Sequence, residues 1–316
     1  MDAFISMLTN VIIFVALALP GYILVKTKLL KAEQSIALSK LLMWVGMPFL
    51  VLSSVVRLEF SKTLIKGMAT VLIVSAVCAA GIFFLSALLT KKEEDKKKQG
   101  VMRFAMIFSN NGFLGLPLAA AVLGETSAAY FYLVILNVLT NLLMYTVGIY
   151  LISGDKSKMS FKKAILNPVL ISFVLGILLN FLNVEKHLPQ VMTFSDHFKN
   201  IVTPISMTIL GMKMGSIKFT SLFTSKKAYF ISAIKLLVAP VIFVTAVCLA
   251  DLAVGVGSAM AYAVLISFGT PVAGLSSTFA DAYDGDIEGA STYTLSSTMF
   301  SIATLPVLYW LLSLIV

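Results

Sequence analysis

The sequence predicts an all-α membrane protein. Of its 316 residues, 59% are hydrophobic and 12% are charged, whereas a soluble domain carries about 25% charged residues. The mean hydropathy is +0.97, and the apolar residues come in runs close to the roughly 20 residues that a spanning helix needs. The polar stretches between these runs are short, so the chain lacks the polar surface of a water-soluble globule.

Ten of the apolar runs are long enough to cross a bilayer, and they are numbered here as spans 1 to 10. The residues before span 1 include neither a basic stretch nor a small-residue cleavage site, so we expect span 1 to be retained as a helix. The predicted limits of the ten spans are 4–25, 35–56, 63–89, 101–123, 128–152, 164–182, 198–215, 226–250, 258–280 and 287–315.

Basic residues are concentrated in alternate loops, those after spans 1, 3, 5 and 7. Because Lys and Arg accumulate on the cytoplasmic side, we predict that both termini are extracytoplasmic and that the protein lies in the plasma (inner) membrane. This arrangement accounts for the net charge of +9 without nucleic acid as a partner. The basic loops hold Lys26, Lys28, Lys31, Lys91, Lys92, Lys96, Lys97, Lys98, Arg103, Lys156, Lys158, Lys162, Lys163, Lys218, Lys226 and Lys227.

The loop GDKSKMSFKK divides the ten spans into two sets of five. An odd number of spans in each set makes the second set run opposite to the first, which is the condition for an inverted repeat. We therefore predict a first five-helix repeat at 1–153, a cytoplasmic linker at 154–163 and a second five-helix repeat at 164–316.

Spans 4 and 9 each contain a helix-breaking motif, SNNGFLGLP in span 4 and SFGTPVAG in span 9. Proline removes a backbone donor, and glycine costs about 1 kcal/mol against alanine inside a helix. An unwound stretch within a membrane is tolerated where it is buried in protein or lines a cavity. The residues that we predict to form a site are Asn110, Asn111, Gly112 and Pro117 in span 4 and Gly269, Thr270 and Pro271 in span 9.

Each break would create a half-helix N-terminus with free N–H groups and the positive end of a helix dipole. Two such ends that converge could bind a carboxylate without an arginine partner. The alternative is that proline and glycine only kink packed helices, since both are common in membrane spans. The matching positions of the two motifs in the two halves favour the binding site.

Further polar side chains lie within the spans. Asn137, Asn141 and Tyr145 share one face of span 5. They either line a cavity or hold the broken span 4, or they form interhelical hydrogen bonds only. In span 10, packing is the favoured role for a stripe of small hydroxyls, and that stripe consists of Thr294, Ser297, Ser301 and Thr304.

Two lysines fall inside predicted spans. Lys235 lies nine residues after Lys226, about 13 Å along a helix, and we expect it to attract an anion or pair with an acid. Lys213 is near the end of span 7, where its side chain can extend to the interface. Asp281 is expected at the interface, with a coupling carboxylate as the alternative.

No soluble-enzyme motif is present: the sequence has no phosphate loop, no zinc-ligand spacing and no G-x-S-x-G turn. We therefore expect no enzyme activity, no cofactor and no metal site. Cys78 and Cys248 lie in separate apolar runs and are predicted to be free thiols.

Several segments in order resemble the auxin efflux carrier family. GYILVKTKLLKAEQSIALSKLLMWVGMPFL resembles the first two spans of that family, and FSNNGFLGLPLAAAVLGE is similar to its fourth. ILNPVLISFVLGILLN and IVTPISMTILGM resemble spans 6 and 7, while TPVAGLSSTFADAYDGD and STMFSIATLP resemble spans 9 and 10. The resemblance covers nearly the whole chain.

The resemblance implies ten helices in two inverted repeats, with broken spans 4 and 9 crossing beside Pro117 and Pro271. Spans 1, 2, 6 and 7 would form a scaffold, and spans 3–5 and 8–10 a transport domain that moves in an elevator-type cycle. Asn110 or Asn111 would contact a substrate carboxylate. Bacterial members are often described as malate or malonate permeases. This chain lacks the long cytoplasmic loop of many plant members, which argues against auxin as its substrate.

We therefore predict a secondary active transporter for small organic anions such as carboxylates, held at the crossing of spans 4 and 9, with Asn141 and Lys235 as further site residues. The alternative is a channel or a ligand-sensing receptor on the same scaffold. The expected partners are the anion and the lipid bilayer. Coupling to protons, to sodium or to neither ion stays open, as does a homodimer.

Overall fold

The computed structural model describes residues 2–159, 161–216 and 225–316. Within these ranges the chain is helical, with short connections and one isolated antiparallel bridge. The helices are α1 (Asp2–Lys26), α2 (Ala32–Val56), α3 (Lys62–Leu89), α4 (Lys96–Ile107), α5 (Asn111–Leu123), α6 (Ala128–Ser153), α7 (Phe161–Ile165), α8 (Pro168–Phe181), α9 (Val184–His187), α10 (Pro189–Lys199), α11 (Val202–Ser216), α12 (Lys226–Val254), α13 (Ala259–Gly269), α14 (Ser276–Ala282) and α15 (Ile287–Ser313).

Seven helical segments of the described residues are long and apolar enough to cross a membrane: α1, α2, α3, α6, α12, α15 and the segment Lys156–Phe181 that ends with α8. They correspond to predicted spans 1, 2, 3, 5, 8, 10 and 6. The chain is thus a multi-pass helical membrane protein. The orientation of its termini and the division at 154–163 stay predictions, and Lys218 lies outside the described residues.

Predicted spans 4, 7 and 9 differ from the other seven. Spans 4 and 9 are each divided into two shorter helices, α4 with α5 and α13 with α14. The predicted start of span 7 at residue 198 is wrong, because a separate helix, α10, ends at Lys199 and α11 begins only at Val202. Pro204 lies in the first turn of α11, where the missing N–H of a proline removes no helical hydrogen bond.

Helices of the first half pack closely against helices of the second half. α1 contacts α11 at glycine: a Cβ atom added to Gly211 would lie 1.8 Å from the carbonyl oxygen of Ala18. α2 contacts α8 in a similar way, since a Cβ atom added to Gly176 would lie 2.8 Å from Cβ of Val55. Small residues let helix backbones approach in a membrane, where van der Waals contact drives association. The two pairs also meet, since a Cβ atom added to Gly46 of α2 would lie 2.9 Å from Cγ2 of Val202 in α11, so α1, α2, α8 and α11 form one body.

An ion-pair network ties the end of α2 to α10. The guanidinium of Arg57 donates to both carboxylate oxygens of Asp196, at 2.9 and 2.7 Å, and to Glu185 at 2.8 Å. The hydroxyl of Ser53 donates to the same carboxylate at 2.6 Å. The hydrogen bonds from Arg57 hold the pKa of the Asp196 carboxyl well below its ordinary value.

Asp196→Asn should lower the melting temperature at pH 7, by the equivalent of about 1 kcal/mol, since the pair is partly exposed. A carboxyl with a lowered folded-state pKa stabilises the fold above its ordinary pKa, and this contribution is lost as the pH falls through the folded-state pKa. The difference from the wild type should therefore shrink as the pH falls below about 4. Thermal denaturation in detergent across pH measures it, with Glu94→Gln, an exposed carboxyl, as the control. A difference that does not change with pH would contradict this role of the Asp196 charge.

Candidate functional site

The two interruptions predicted in spans 4 and 9 are present, and they lie side by side. The backbone N–H of Asn110 donates to the carbonyl of Pro271 at 2.8 Å, and that of Ala273 donates to the carbonyl of Phe108 at 3.0 Å. Ser109 and Val272 form an antiparallel bridge between these bonds. Each unwound segment thus satisfies backbone groups of the other, as a membrane interior requires.

Asn111 is the centre of a buried hydrogen-bond network. Its amide donates to Thr140 Oγ1 at 3.0 Å and to Ser267 Oγ at 3.2 Å. Its amide oxygen accepts from Asn137 at 3.1 Å, and the Asn137 backbone carbonyl in turn accepts from Asn141 at 2.8 Å. This network joins the start of α5 to α6 and α13. Of the span 5 stripe, Asn137 bonds to the interrupted span 4, Asn141 bonds within α6, and both border the cavity described next.

A small cavity of about 40 Å³ lies against the two interruptions. One wall carries polar groups of α5 and α6, and the other is apolar, with Met43 and Met47 of α2 and Val169 of α8. All its lining side chains are uncharged. The lining consists of Met43, Met47, Ser109, Asn110, Asn111, Gly112, Phe113, Asn137, Asn141, Met144, Val169, Ala273, Gly274 and Leu275.

Asn110 differs from Asn111. Its side chain lines the cavity and makes no hydrogen bond to the described part of the chain. It occupies the N-cap position of α5 without a capping hydrogen bond from its side chain, and the first turn of that helix, Asn111 to Phe113, also lines the cavity. The first N–H groups of a helix have no partner within the helix. The cavity is therefore lined both by an amide that makes no hydrogen bond to the described residues and by a helix N-terminus.

Four π-helical turns surround this region, at Leu42–Gly46, Asn111–Gly115, Met144–Gly148 and Ile234–Val238. Such turns add one residue to a helical turn and often occur at functional sites. The first three contribute residues to the cavity lining, and the fourth contains Lys235.

Lys235 is fully buried, with 0% of its surface exposed. Its ammonium donates to the hydroxyl of Ser109 and, at 3.4 Å, to the carbonyl of Phe268 in the last turn of α13. No carboxylate of the described residues lies within 4.0 Å of it. A cation is favoured at a helix C-terminus. Of the two roles expected for Lys235, pairing with an acid is therefore not seen among the described residues, because a hydroxyl and a helix end take the place of the acid.

Five of the nine predicted site residues are buried outside the cavity lining. Lys235 lies behind Ser109. Thr270 turns its hydroxyl back to the Ser267 carbonyl at 3.2 Å, and Gly269 faces Leu305 and Leu265. Pro271 takes part through its carbonyl, and Pro117 is buried within α5. The other four, Asn110, Asn111, Gly112 and Asn141, line the cavity.

The structure also brings to the site two serines that the sequence analysis did not assign to it. Ser297 of α15 accepts a hydrogen bond from the backbone N–H of Val272 at 3.0 Å, so one hydroxyl of the span 10 stripe supports the second interruption. Ser109, the serine that opens the span 4 motif, separates Lys235 from the cavity. The described residues include no group of three His, Cys, Asp or Glu side chains placed to hold a metal ion.

Comparisons with known proteins agree over nearly the whole chain. A family model described as "Membrane transport protein" matches residues 5–309. An uncharacterized transporter of Methanothermobacter thermautotrophicus is 25% identical over 320 residues, which cover 96% of this chain and 97% of that protein. The uncharacterized transporter MJ1031 of Methanocaldococcus jannaschii is 25% identical over 311 residues, with the same coverage of 96% and 97%. Both interruptions and the cavity lie within the matched residues.

Proposed function

The chain belongs to the membrane transport protein family, and from this premise we propose that it is a secondary carrier for small organic anions. Membership confirms the family resemblance read from its motifs. We choose anions as the substrates because of the cavity at the paired interruptions. Its lining includes the Asn110 amide and a helix N-terminus, and it includes no acidic side chain.

The cavity suits a carboxylate attached to a small apolar body. In this proposal Asn110 and the first turn of α5 donate to the carboxylate, as helix N-termini do to anions. The methionines of α2 and Val169 contact the apolar part of the substrate. Asn111, Gly112 and Asn141 complete the polar wall.

In this proposal Lys235 contributes to the site although it does not line the cavity. Its ammonium bonds to the hydroxyl of Ser109, and Ser109 itself lines the cavity. The positive charge is therefore one side chain away from a bound anion. In a medium of low dielectric, a charge at this distance contributes to binding without direct contact.

The proposed transport cycle is the elevator motion of ten spans in two inverted repeats. The position of the cavity supports it: Met43, Met47 and Val169 come from the predicted scaffold, and the rest of the lining comes from the predicted transport domain. A substrate bound there would lie between two bodies that can slide past each other. Pro117 and Pro271 lie in the segments that would move together.

Counterflow in proteoliposomes tests this function. Vesicles that contain the purified protein should take up labelled L-malate with saturation, and unlabelled malate inside should accelerate that uptake. Protein-free vesicles and labelled glucose serve as controls, and imposed proton and sodium gradients identify the coupling ion. Uptake that rises linearly with concentration and shows no counterflow would indicate a channel. A complete lack of flux for mono- and dicarboxylates would reject an anion carrier.

A further inference from the structure

An apolar groove of about 340 Å³ lies between α3, the end of α4 and α6. On α3, Ala79 and Ala80 leave the space open because their side chains are short. Leu143 and Val147 of α6 form the opposite wall, and the buried ring of Phe108 closes the floor. The lining is almost wholly hydrocarbon, so the groove fits an apolar chain.

The groove opens toward the lipid. Phe84 of α3, which lines it, is 71% exposed. Because α3 is long and apolar enough to cross the membrane, its exposed apolar side chains contact acyl chains. The lining residues run from 76 to 84 on α3 and from 139 to 150 on α6, which is about 12 to 17 Å at 1.5 Å per residue. One leaflet contributes about 15 Å to the hydrocarbon core, so the groove matches an acyl chain of a single leaflet.

Two basic side chains stand at one end of the groove. The guanidinium of Arg103 lies over the ring of Phe83, 4.7 Å from its centroid, and the ammonium of Lys156 lies 6.0 Å from the centroid of the Tyr150 ring. Both rings line the groove and lie in the last two turns of α3 and α6. These helices lead into loops that are rich in lysine, so this is the end that we predict to be cytoplasmic.

The protein satisfies Arg103 only weakly. Its guanidinium donates to the hydroxyl of Ser86 at 3.4 Å and to the carbonyl of Phe83 at 3.5 Å, which are long hydrogen bonds. No carboxylate in the described ranges lies within 4.0 Å of Arg103 or Lys156. A guanidinium has five N–H donors in a fork that matches a phosphate. Arg103 therefore has donors to offer an anionic group at the edge of the groove.

We propose that this groove binds an anionic phospholipid of the cytoplasmic leaflet. One acyl chain lies between α3 and α6, and the phosphate accepts hydrogen bonds from Arg103, with Lys156 as a second positive charge. The surface of that leaflet is negative and attracts basic residues. The chain packs on Phe108, just before the first interruption, so the bound lipid stabilises the interrupted span 4. This inference does not depend on which substrate is carried.

Thermal denaturation of the purified protein in detergent tests the site, with dioleoyl phosphatidylglycerol and dioleoyl phosphatidylcholine as probes. Phosphatidylglycerol should raise the Tm with saturation, and more than phosphatidylcholine does. Arg103→Gln should weaken the apparent affinity for phosphatidylglycerol about tenfold or more, because a charge-assisted hydrogen bond is lost. Lys92→Gln, which removes an exposed lysine between α3 and α4, is the matched control and should keep the wild-type affinity.

Blocking the groove separates the acyl chain from the headgroup. Ala80→Phe fills the groove, leaves both charges in place and should abolish the stabilisation by phosphatidylglycerol. Val77→Phe adds the same ring at an exposed position of α3 outside the lining and should preserve that stabilisation. Each variant is compared with its own Tm without lipid, so a direct effect of the substitution on the fold cancels.

Two results would overturn the assignment at once: equal stabilisation by both lipids, or wild-type affinity for phosphatidylglycerol in both Arg103→Gln and Ala80→Phe. Native mass spectrometry adds a third. If Ala80→Phe loses a dimer that the wild type forms but keeps its bound lipid, the groove is the contact of a second copy of the chain and not a lipid site.

Discussion

Lys235→Met should reduce carboxylate uptake at least about tenfold and yet leave the protein as heat-resistant as the wild type or more so. Lys235 is fully buried and has no carboxylate partner among the described residues. Burial of an uncompensated ammonium costs several kcal/mol, and replacement of buried charge by an apolar side chain of similar volume is often neutral or stabilising.

Loss of this lysine also has a cost. The hydroxyl of Ser109 and the carbonyl of Phe268 each lose a donor, and an unpaired buried polar group costs about 1–3 kcal/mol. We expect removal of the buried ammonium to offset this loss. The hydroxyl of Ser109 can rotate toward the adjacent cavity, where it can bond to water. A charge retained at such a cost in stability points to a functional role.

The test is initial-rate uptake beside thermal denaturation of the same preparation. Lys235→Arg keeps the charge and should retain more transport than Lys235→Met. Lys66→Met, which removes an exposed lysine of α3, should alter neither quantity. A Lys235→Met protein that transports at the wild-type rate would remove Lys235 from the mechanism. A melting temperature several degrees lower would assign it to the fold instead.

The second large effect is a difference between two adjacent asparagines. Asn110→Ala should lose transport while the protein keeps its thermal stability, and Asn111→Ala should lower the thermal stability. The Asn110 side chain lines the cavity and has no hydrogen bond to the described protein. Removing a donor to a charged ligand costs about 1.5–3 kcal/mol of binding, which is a tenfold or larger rise in KM.

Asn111, in contrast, makes three side-chain hydrogen bonds, with Thr140, Ser267 and Asn137. Alanine there leaves buried groups unpaired on two other helices, so we expect a loss of about 1–3 kcal/mol, read as a lower melting temperature. Asn200→Ala, at an exposed position between α10 and α11, is the control. Normal uptake by Asn110→Ala, or an unchanged melting temperature for Asn111→Ala, would contradict the separate roles.

The different roles of Asn110 and Asn111 could not be predicted from the sequence. The two asparagines are adjacent and chemically identical, so composition and spacing assign them one role. The difference between their roles depends on Ser267, which accepts a hydrogen bond from Asn111 and lies 156 positions away in the chain. Lys213 was likewise placed at the interface by its position in span 7, because nothing local indicates that Gly274 is within reach of its ammonium.

The helical membrane class, the family and the places where two spans are interrupted could all be predicted from the amino-acid sequence. These properties are local: hydropathy over about 20 residues predicts a span, and proline and glycine disfavour a helix wherever they occur in its interior. Which polar side chains complete the fold, and which face a cavity, became known from the three-dimensional arrangement of the helices. That choice depends on contacts between helices far apart in the chain, since the direction of a side chain is set by its neighbours in space.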